Sequence, residues 1–382
     1  MIIKLKDRTF DFKVDAPASK SVYHRELIVR FLHGLNDNLE YSEGDSDDIK
    51  ATKDCLKALR DANDHDGDIV LDCRESGSTI RFMITVAVAY LYSKNITNRK
   101  LVFKTAGRLF DRPMDALENA LSPRGITMTL VAENRTIEVT GTLTEGLFTI
   151  DGSISSQFVS GIMMALIVLP SSSIEVTGEK SSIHYIELTQ YVIDKYSSSL
   201  EGKEVFNVEG DWSGGAFLLC LKELINGKLE VGNLDINSVQ GDKAIVDYLN
   251  SVGKDELTWD CKDIPDIVPY MAMVAAFRNK KTVFNNTARL RAKESDRVMA
   301  TREQLEAAGI KTEETDNTLT VYGYDNSFSK DIINLDSYKD HRMVMSAVLL
   351  AAALGVDLQI DDINPLDKSF PAFKDVIREE FS

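Results

Sequence analysis

The sequence predicts a mixed α/β protein assembled from six copies of one supersecondary unit. Three observations predict it. A polar loop followed by an apolar helix recurs six times, with loops opening near Ser19, Ser76, Ser153, Gly210, Asp263 and Lys339, at spacings of roughly 53 to 77 residues. After each helix comes extended sequence and then a second, amphipathic helix. No Pro-, Gly- and Ser-rich linker interrupts the series, and nothing in it is low-complexity.

In chain order, the apolar helices are expected over Leu27–Leu32, Ile80–Leu91, Phe158–Leu169, Ala216–Leu224, Val268–Phe277 and Met343–Leu354. A helix apolar on most faces must be enclosed by its neighbours. The second helices are Asp47–Arg60, Pro113–Leu121, Tyr185–Ser197, Lys243–Val252, Arg297–Ala308 and Phe373–Phe381. In Arg297–Ala308 charged and apolar residues alternate at helical spacing. Strand-like runs lie between them: Lys100–Lys104, Ile126–Val131, Thr136–Val139, Ser173–Thr177, Lys228–Val231, Thr282–Asn285 and Thr318–Val321. Thr140-Gly141 and Asn226-Gly227 mark turns, and Asp61–Asp68 reads as an exposed loop.

The 382 residues suffice for two or three domains, and 43% hydrophobic content supports sizeable cores. Net charge is −16, from 44 basic and 60 acidic residues. That excludes nucleic acid or an anionic membrane as the main partner. Basic residues for an anionic ligand must then be gathered locally. The opening residues carry no signal-peptide core, and Gly161–Pro170 and Val344–Val356 are too short to span a bilayer. Cys55, Cys73, Cys220 and Cys261 form no C-x-x-C pair, and the five histidines are scattered. We expect reduced thiols, no structural metal and a cytoplasmic location.

Charge and hydroxyls collect where loops turn into helices. Lys20, Ser21 and Arg25 sit at the first such point, where free N–H groups and the helix dipole favour an anion. An ordinary cap, with Ser19 or Ser21 supplying the hydroxyl, is the plain structural alternative. Glu75-Ser76-Gly77-Ser78-Thr79-Ile80-Arg81 is small and hydroxyl-rich, and Gly77 permits close backbone approach. Gly107-Arg108-Leu109-Phe110-Asp111-Arg112-Pro113 places two arginines four apart before a helix opening with Pro. Gly152-Ser153-Ile154-Ser155-Ser156-Gln157 holds more donors than a cap needs. Arg291-Ala292-Lys293-Glu294-Ser295-Asp296-Arg297 packs five charges into seven residues, for which a solvated loop is the usual reading. Arg342 precedes a wholly apolar helix, a costly place unless an acid or bound anion pairs it. Lys20, Arg25, Arg108, Arg297, Arg342 and Lys368 are thus candidates for anions, with Asp266 and Glu294 for proton transfer. There is no Walker loop or dinucleotide fingerprint.

The segments SKSVYHR, ESGSTIR, GRLFDRP, GSISSQF, EGDWS, AKESDR, DHRM and KSFP, in this order from Pro17 to Phe373, resemble the EPSP synthase family of enolpyruvyl transferases. The resemblance implies a two-domain inverted α/β fold of six βαβαββ units with the active site in the interdomain cleft. One domain would be 20–208 and the other 1–19 plus 209–382. It implies transfer of the enolpyruvyl group of phosphoenolpyruvate to the 5-hydroxyl of shikimate 3-phosphate, by addition and elimination, without metal or organic cofactor. That step belongs to the shikimate pathway, on the way to chorismate and the aromatic amino acids. Shikimate 3-phosphate should then contact Lys20, Ser21, Arg25, Ser155, Ser156, Gln157, Ser182, Tyr185, Asp266 and Lys293. Phosphoenolpyruvate should contact Lys20, Gly77, Arg108, Gln157, Arg297, Arg342 and Lys368. Asp266 would take the 5-hydroxyl proton, and Lys20 and Glu294 would handle the remaining protons. We expect a monomer, and, with Gly77 kept, inhibition by the phosphoenolpyruvate mimic glyphosate.

Two positions depart from the family pattern. Glu75 stands where an Asn is usual; either Arg74 compensates it or it points away from the ligand. Arg289 replaces a common Asn, so no contact is carried over there. Two rivals remain. The sister enzyme acting on UDP-N-acetylglucosamine usually has a Cys-bearing loop where Gly107–Pro113 lies, and an Asn in place of Ser21; no Cys falls between Cys73 and Cys220. A non-catalytic paralogue binding phosphorylated metabolites would be expected to lack Lys20, Asp266 and Glu294.

Overall fold

A computed structural model describes residues 1–6, 10–35, 39–63, 67–97, 99–178, 183–197, 208–225 and 227–380. The chain divides into a continuous unit, Lys20–Val208, and a discontinuous unit, Met1–Ser19 with Glu209–Ser382. The discontinuous unit begins with β1 (Ile2–Ile3) and β2 (Phe10–Asp15). The continuous unit follows with α1 (Lys20–Leu32), α2 (Asp47–Arg60), β3 (Ile69–Asp72), α3 (Gly77–Ser93), β4 (Leu101–Lys104), α4 (Asp115–Leu121), β5 (Ile126–Val131), β6 (Thr136–Gly141), β7 (Leu147–Asp151), α5 (Ser156–Ala165), β8 (Ser173–Thr177) and α6 (Ile183–Ser197). The discontinuous unit then resumes with α7 (Trp212–Leu224), β9 (Gly227–Gly232), α8 (Ile245–Ser251), β10 (Glu256–Asp260), α9 (Val268–Arg278), β11 (Lys281–Asn285) and α10 (Arg297–Ala307). It ends with β12 (Thr312–Thr315), β13 (Thr318–Tyr322), β14 (Ile332–Leu335), α11 (His341–Leu354), β15 (Asp357–Ile360) and α12 (Pro371–Glu380).

The repeat is drawn in full once in each unit. Strands β3 and β4 run parallel and β4, β6 and β5 continue antiparallel, in the order β3-β4-β6-β5. Strands β10, β11, β13 and β12 repeat that order and those directions. Each parallel pair brackets one apolar helix, α3 or α9, as a crossover must. Parallel pairs β7–β8 and β14–β15 bracket α5 and α11 in the same way, β2–β9 brackets the whole continuous unit together with α7, and β1 adds antiparallel to β15. Where the chain leaves the discontinuous unit and where it returns are hydrogen-bonded neighbours. The Ser19 amide donates to Glu209 O at 2.7 Å and the Asp211 amide to Pro17 O at 2.7 Å.

The six apolar helices are buried, three to each core: α1, α3 and α5 in one, α7, α9 and α11 in the other. Four of them have a first turn closed by a side chain that accepts a backbone N–H group. Ser76 caps α3, Ser155 caps α5, Asp211 caps α7 and Asp340 caps α11. Gly355, at φ 68°, ends α11 in the left-handed turn that glycine makes at least cost.

Several expectations shift. The Ser19 hydroxyl donates to Gln240 Oε1 at 2.8 Å, on its own unit. The α4 helix starts at Asp115, because Pro113 holds the preceding residue extended (Arg112, φ −81°, ψ 137°). Thr140 and Gly141 finish β6 instead of forming a turn. A side chain on Gly141 would meet Gly125 O at 2.1 Å, which is why a glycine is needed there. Asp61–Asn63 forms a 3-10 turn. Residues 64–66, Asn226, Phe381 and Ser182 lie outside the described residues. Among those described, no helix is long and apolar enough to cross a membrane.

Helices α3 and α5 touch through Gly161, where an added Cβ would lie 2.7 Å from Arg81 O and 3.2 Å from Phe82 Cα. Both obstacles are backbone. Gly161→Ala should therefore destabilise the protein by about 1–3 kcal/mol. A lower urea midpoint at unchanged slope checks this.

Candidate active site

In the continuous unit the candidate residues gather at the N-terminal ends of α1, α3 and α5. Arg25, one turn into α1, is 2% exposed. Its Nε donates to Thr189 Oγ1 at 2.7 Å, Nη1 to Ser21 O at 2.7 Å, and Nη2 to Ser160 Oγ at 3.2 Å and Tyr185 O at 3.1 Å. Its guanidinium lies over the rings of Phe82 and Tyr185, 5.0 and 5.9 Å from their centroids. Every one of these partners is neutral. Burial pulls its pKa down to about 10, so it stays charged at neutral pH. Lys20, at the start of α1, pairs with Asp48 at 2.9 Å.

The starts of α3 and α5 are tied by one side-chain chain. Arg81 Nη1 donates to Gln157 Oε1 at 2.8 Å, and Gln157 Nε2 donates to Ser78 Oγ at 2.9 Å. Ser156 opens α5 and is buried. Gly77 opens α3, and an added Cβ there would fall 2.5 Å from Arg112 Nη1. Arg112 thus covers Gly77, and its buried Nε has no hydrogen-bond acceptor. Sequence reasoning named Arg108, which is exposed beside a 3-10 turn. Pro113 fixes Arg112 in an extended conformation.

Arg74 and Glu75 precede the cap of α3. Arg74, left-handed at φ 49°, pairs with Asp54 at 2.8 Å and donates to Tyr41 Oη at 3.1 Å. The Glu75 carboxylate instead presses on Gly107, where a Cβ would meet its Oε1 at 2.6 Å.

In the discontinuous unit a second cluster forms at α9, α10 and α11. Arg297, 1% exposed, bonds three carboxylates: Asp266 at 2.6 Å, Glu294 at 2.8 Å and Asp340 at 2.9 Å. Lys293 reaches Asp266 at 3.2 Å. Burial works to raise Asp266, but Lys293, Arg297 and Arg342 overcome it and hold the carboxyl well below its usual range. Burial lowers the pKa of Lys293, against the pull of Asp266, and the charge of Arg297 adds to the lowering. Arg342 differs from Arg297. Its Nη1 donates to Tyr270 Oη at 3.2 Å and Ser213 O at 3.4 Å, and its Nε is buried without an acceptor. Among the described residues, no carboxylate lies at ion-pair distance from it. Lys368 ends a 3-10 turn anchored by Phe370 and Phe373, the latter packed on Phe217 with ring centroids 4.6 Å apart.

Asp242 also belongs to this cluster and was missed, since nothing in its neighbourhood of sequence marks it. Burial, then the charge of Asp266, push its pKa up to about 6, with Arg342 opposing. A carboxyl raised on folding favours the folded state fully below its unfolded value, and loses that contribution as pH rises through the folded one. Wild-type stability relative to Asp242→Asn should therefore fall between about pH 4 and pH 6 and then level off. Urea unfolding across that range measures it; a flat difference contradicts the shift.

Comparison with known proteins agrees across the whole chain. A family model described as EPSP synthase (3-phosphoshikimate 1-carboxyvinyltransferase) matches residues 8–263 and 250–377. The 3-phosphoshikimate 1-carboxyvinyltransferase of Clostridium acetobutylicum is 31% identical, covering 95% of this chain and 93% of that protein. The enzyme of the same name from Methanoculleus marisnigri is 30% identical, covering 93% and 88%. Among solved structures, EPSP synthase from Acinetobacter baumannii superposes with a TM-score of 0.68 at 19% identity, over 99% of this chain and 97% of that one. The enolpyruvyl transferase NikO from Streptomyces tendae does so at 0.65 and 13%, over 100% and 98%. At those identities the structures speak for the fold.

Proposed function

The chain belongs to the EPSP synthase family, and from that premise we propose that it moves the enolpyruvyl group of phosphoenolpyruvate onto the 5-hydroxyl of shikimate 3-phosphate, releasing phosphate. The observation that carries this reading is the pair of buried guanidiniums, Arg25 and Arg342, bonded only to neutral groups. In a chain of net charge −16, such cations call for bound anions, and both substrates are anionic.

Shikimate 3-phosphate is held by Lys20, Ser21, Arg25, Ser155, Ser156, Gln157, Ser182, Tyr185, Asp266 and Lys293. Phosphoenolpyruvate is held by Lys20, Gly77, Arg108, Gln157, Arg297, Arg342 and Lys368, and we add Arg112, because it covers Gly77. In the addition step Asp266 takes the 5-hydroxyl proton as that oxygen bonds to C2 of phosphoenolpyruvate, and C3 gains a proton. In the elimination step C3 loses a proton and the C2–O bond to phosphate breaks. Lys20 and Glu294 handle the protons at the phosphate-bearing oxygen and at C3. The cations around Asp266 keep it ionised at neutral pH, as a proton acceptor must be, while also weakening it as a base. Cations facing the phosphate and carboxylate groups hold the two anions against their repulsion and stabilise charge that develops on the leaving phosphate. Arg297 would bring to the ligand a charge already shared among three carboxylates. The reaction requires neither metal nor organic cofactor. The free thiols of Cys55, Cys73, Cys220 and Cys261 support a cytoplasmic location, and we take the working form to be a monomer.

Phosphate release should require shikimate 3-phosphate, should not proceed with UDP-N-acetylglucosamine, should persist in chelator, and should be inhibited by glyphosate competitively with phosphoenolpyruvate. No release with either acceptor would refute the assignment. Asp266→Asn should lower kcat by about 10²–10⁴-fold while leaving KM for phosphoenolpyruvate within a few-fold. Arg112→Gln should raise that KM by about tenfold or more, and by more than Arg108→Gln does. The reverse order would remove Arg112 from the site.

A further inference from the structure

His24, on α1 beside Arg25, is a buried titratable group that the chemistry above does not use. Its Nδ1 lies 2.8 Å from Thr52 Oγ1 on α2. Thr52 Oγ1 lies 2.7 Å from Thr79 Oγ1, and Thr79 Oγ1 donates to Ser76 Oγ at 2.7 Å. Thr52, Thr79 and Ser76 are wholly buried. The chain so formed runs from α1 through α2 to the cap of α3, one residue before Gly77.

Hydrogen accounting fixes its direction. Each hydroxyl has one hydrogen to give. Thr79 spends its own on Ser76 Oγ, or on Asp48 O at 3.3 Å, so it must accept from Thr52. Thr52 then has nothing left for the imidazole, and His24 Nδ1 must be the donor. The bare nitrogen is Nε2, which is buried without a partner. Burial pulls the pKa of His24 down to about 3; the charge of Asp48 opposes that, and those of Lys20 and Arg25 add to it. The ring is therefore neutral at pH 7.

Adjacent residues of a helix do not face the same way. Arg25 turns to Ser160 on α5 and to Tyr185 and Thr189 on α6, whereas His24 turns to α2 and α3. We propose that His24, as the Nδ1–H imidazole, is a positioning residue for the phosphoenolpyruvate side of the site, acting through Thr52 and Thr79 on Ser76 and so on the backbone at Gly77. This rests on the transfer reaction proposed above. Without His24, Thr52 is free to turn its hydrogen away, and the hydroxyls behind the cap lose their fixed direction.

The test begins with long-range proton–nitrogen NMR of the full-length protein, the His24 ring signals being identified by their loss in His24→Asn. They should show hydrogen on Nδ1 and no titration between about pH 5 and pH 8. His24→Leu should raise KM for phosphoenolpyruvate and the inhibition constant of glyphosate about fivefold, the worth of one neutral hydrogen bond. KM for shikimate 3-phosphate should stay unchanged. His24→Asn, whose amide can donate from nearly the same place, should restore both values. If His24→Leu does not fold, Thr52→Val breaks the same chain with a side chain of the same shape, and Thr52→Ser should keep wild-type values. Hydrogen on Nε2, an unchanged KM for phosphoenolpyruvate, or an equal rise in both Michaelis constants would overturn the proposal. A wild-type protein that releases no phosphate would instead refute the reaction on which the inference rests, and the tautomer, read without turnover, tells the two failures apart.

Discussion

Five of the six buried helices are apolar on nearly every face and leave the chain few places to put charge, while the sixth, α1, buries Arg25, Glu26 and Arg30 along its length. A guanidinium or carboxylate in the middle of α3 or α11 would have to shed its water with nothing to replace it. The ends are different, because the first turn of a helix exposes N–H groups that want acceptors and a dipole that tolerates anions. Polar residues therefore collect at the N-termini of α1, α3, α5, α9 and α11. The capping groups Ser76, Ser155 and Asp340 are the minimum that such ends require. Arg25, Arg81, Gln157 and Arg342 exceed that minimum, and their excess is what makes the ends chemically useful.

Within this frame the protein handles its buried cations in two ways. Arg297 is surrounded by Asp266, Glu294 and Asp340, and their charges hold its proton more tightly than usual despite burial. Arg25 and Arg342 have hydroxyls, carbonyls and aromatic faces instead. Such contacts orient a guanidinium without cancelling its charge. The first arrangement is a network that keeps itself neutral. The second stores positive potential inside a chain whose overall charge is strongly negative, and water-poor surroundings strengthen that potential.

Much of this was legible beforehand because helix periodicity and apolar runs are local signals. The buried helices and most second helices lie within a few residues of where their patterns place them, α6 and α10 among them. Short strands such as β10, Glu256–Asp260, carry too few apolar residues to announce themselves. What sequence could not show is which of two like residues turns inward. Arg108 and Arg112 occupy one motif, and only the restraint imposed by Pro113 separates them. Glu75 is similar: its carboxylate finds Gly107, a residue distant in sequence, and Arg74 finds Asp54. Asp242 illustrates the third kind of failure, since its raised pKa comes from burial and from the charge of Asp266, neither of which is encoded nearby.

The pairing of the chain's exit and return at Ser19 and Glu209 bears on the order in which the protein is made. Everything the continuous unit needs is emitted as one stretch, so its core can close while the remainder is still being synthesised. The opening segment has no such freedom. Strand β2 must wait for β9, and β1 must wait for β15, whose Ile360 carbonyl accepts from the amino group of Met1. Strands synthesised before the continuous unit are thus among the last to find their places. A nascent chain arrested before β15 would hold a finished unit at its centre and an unpaired strand at its head.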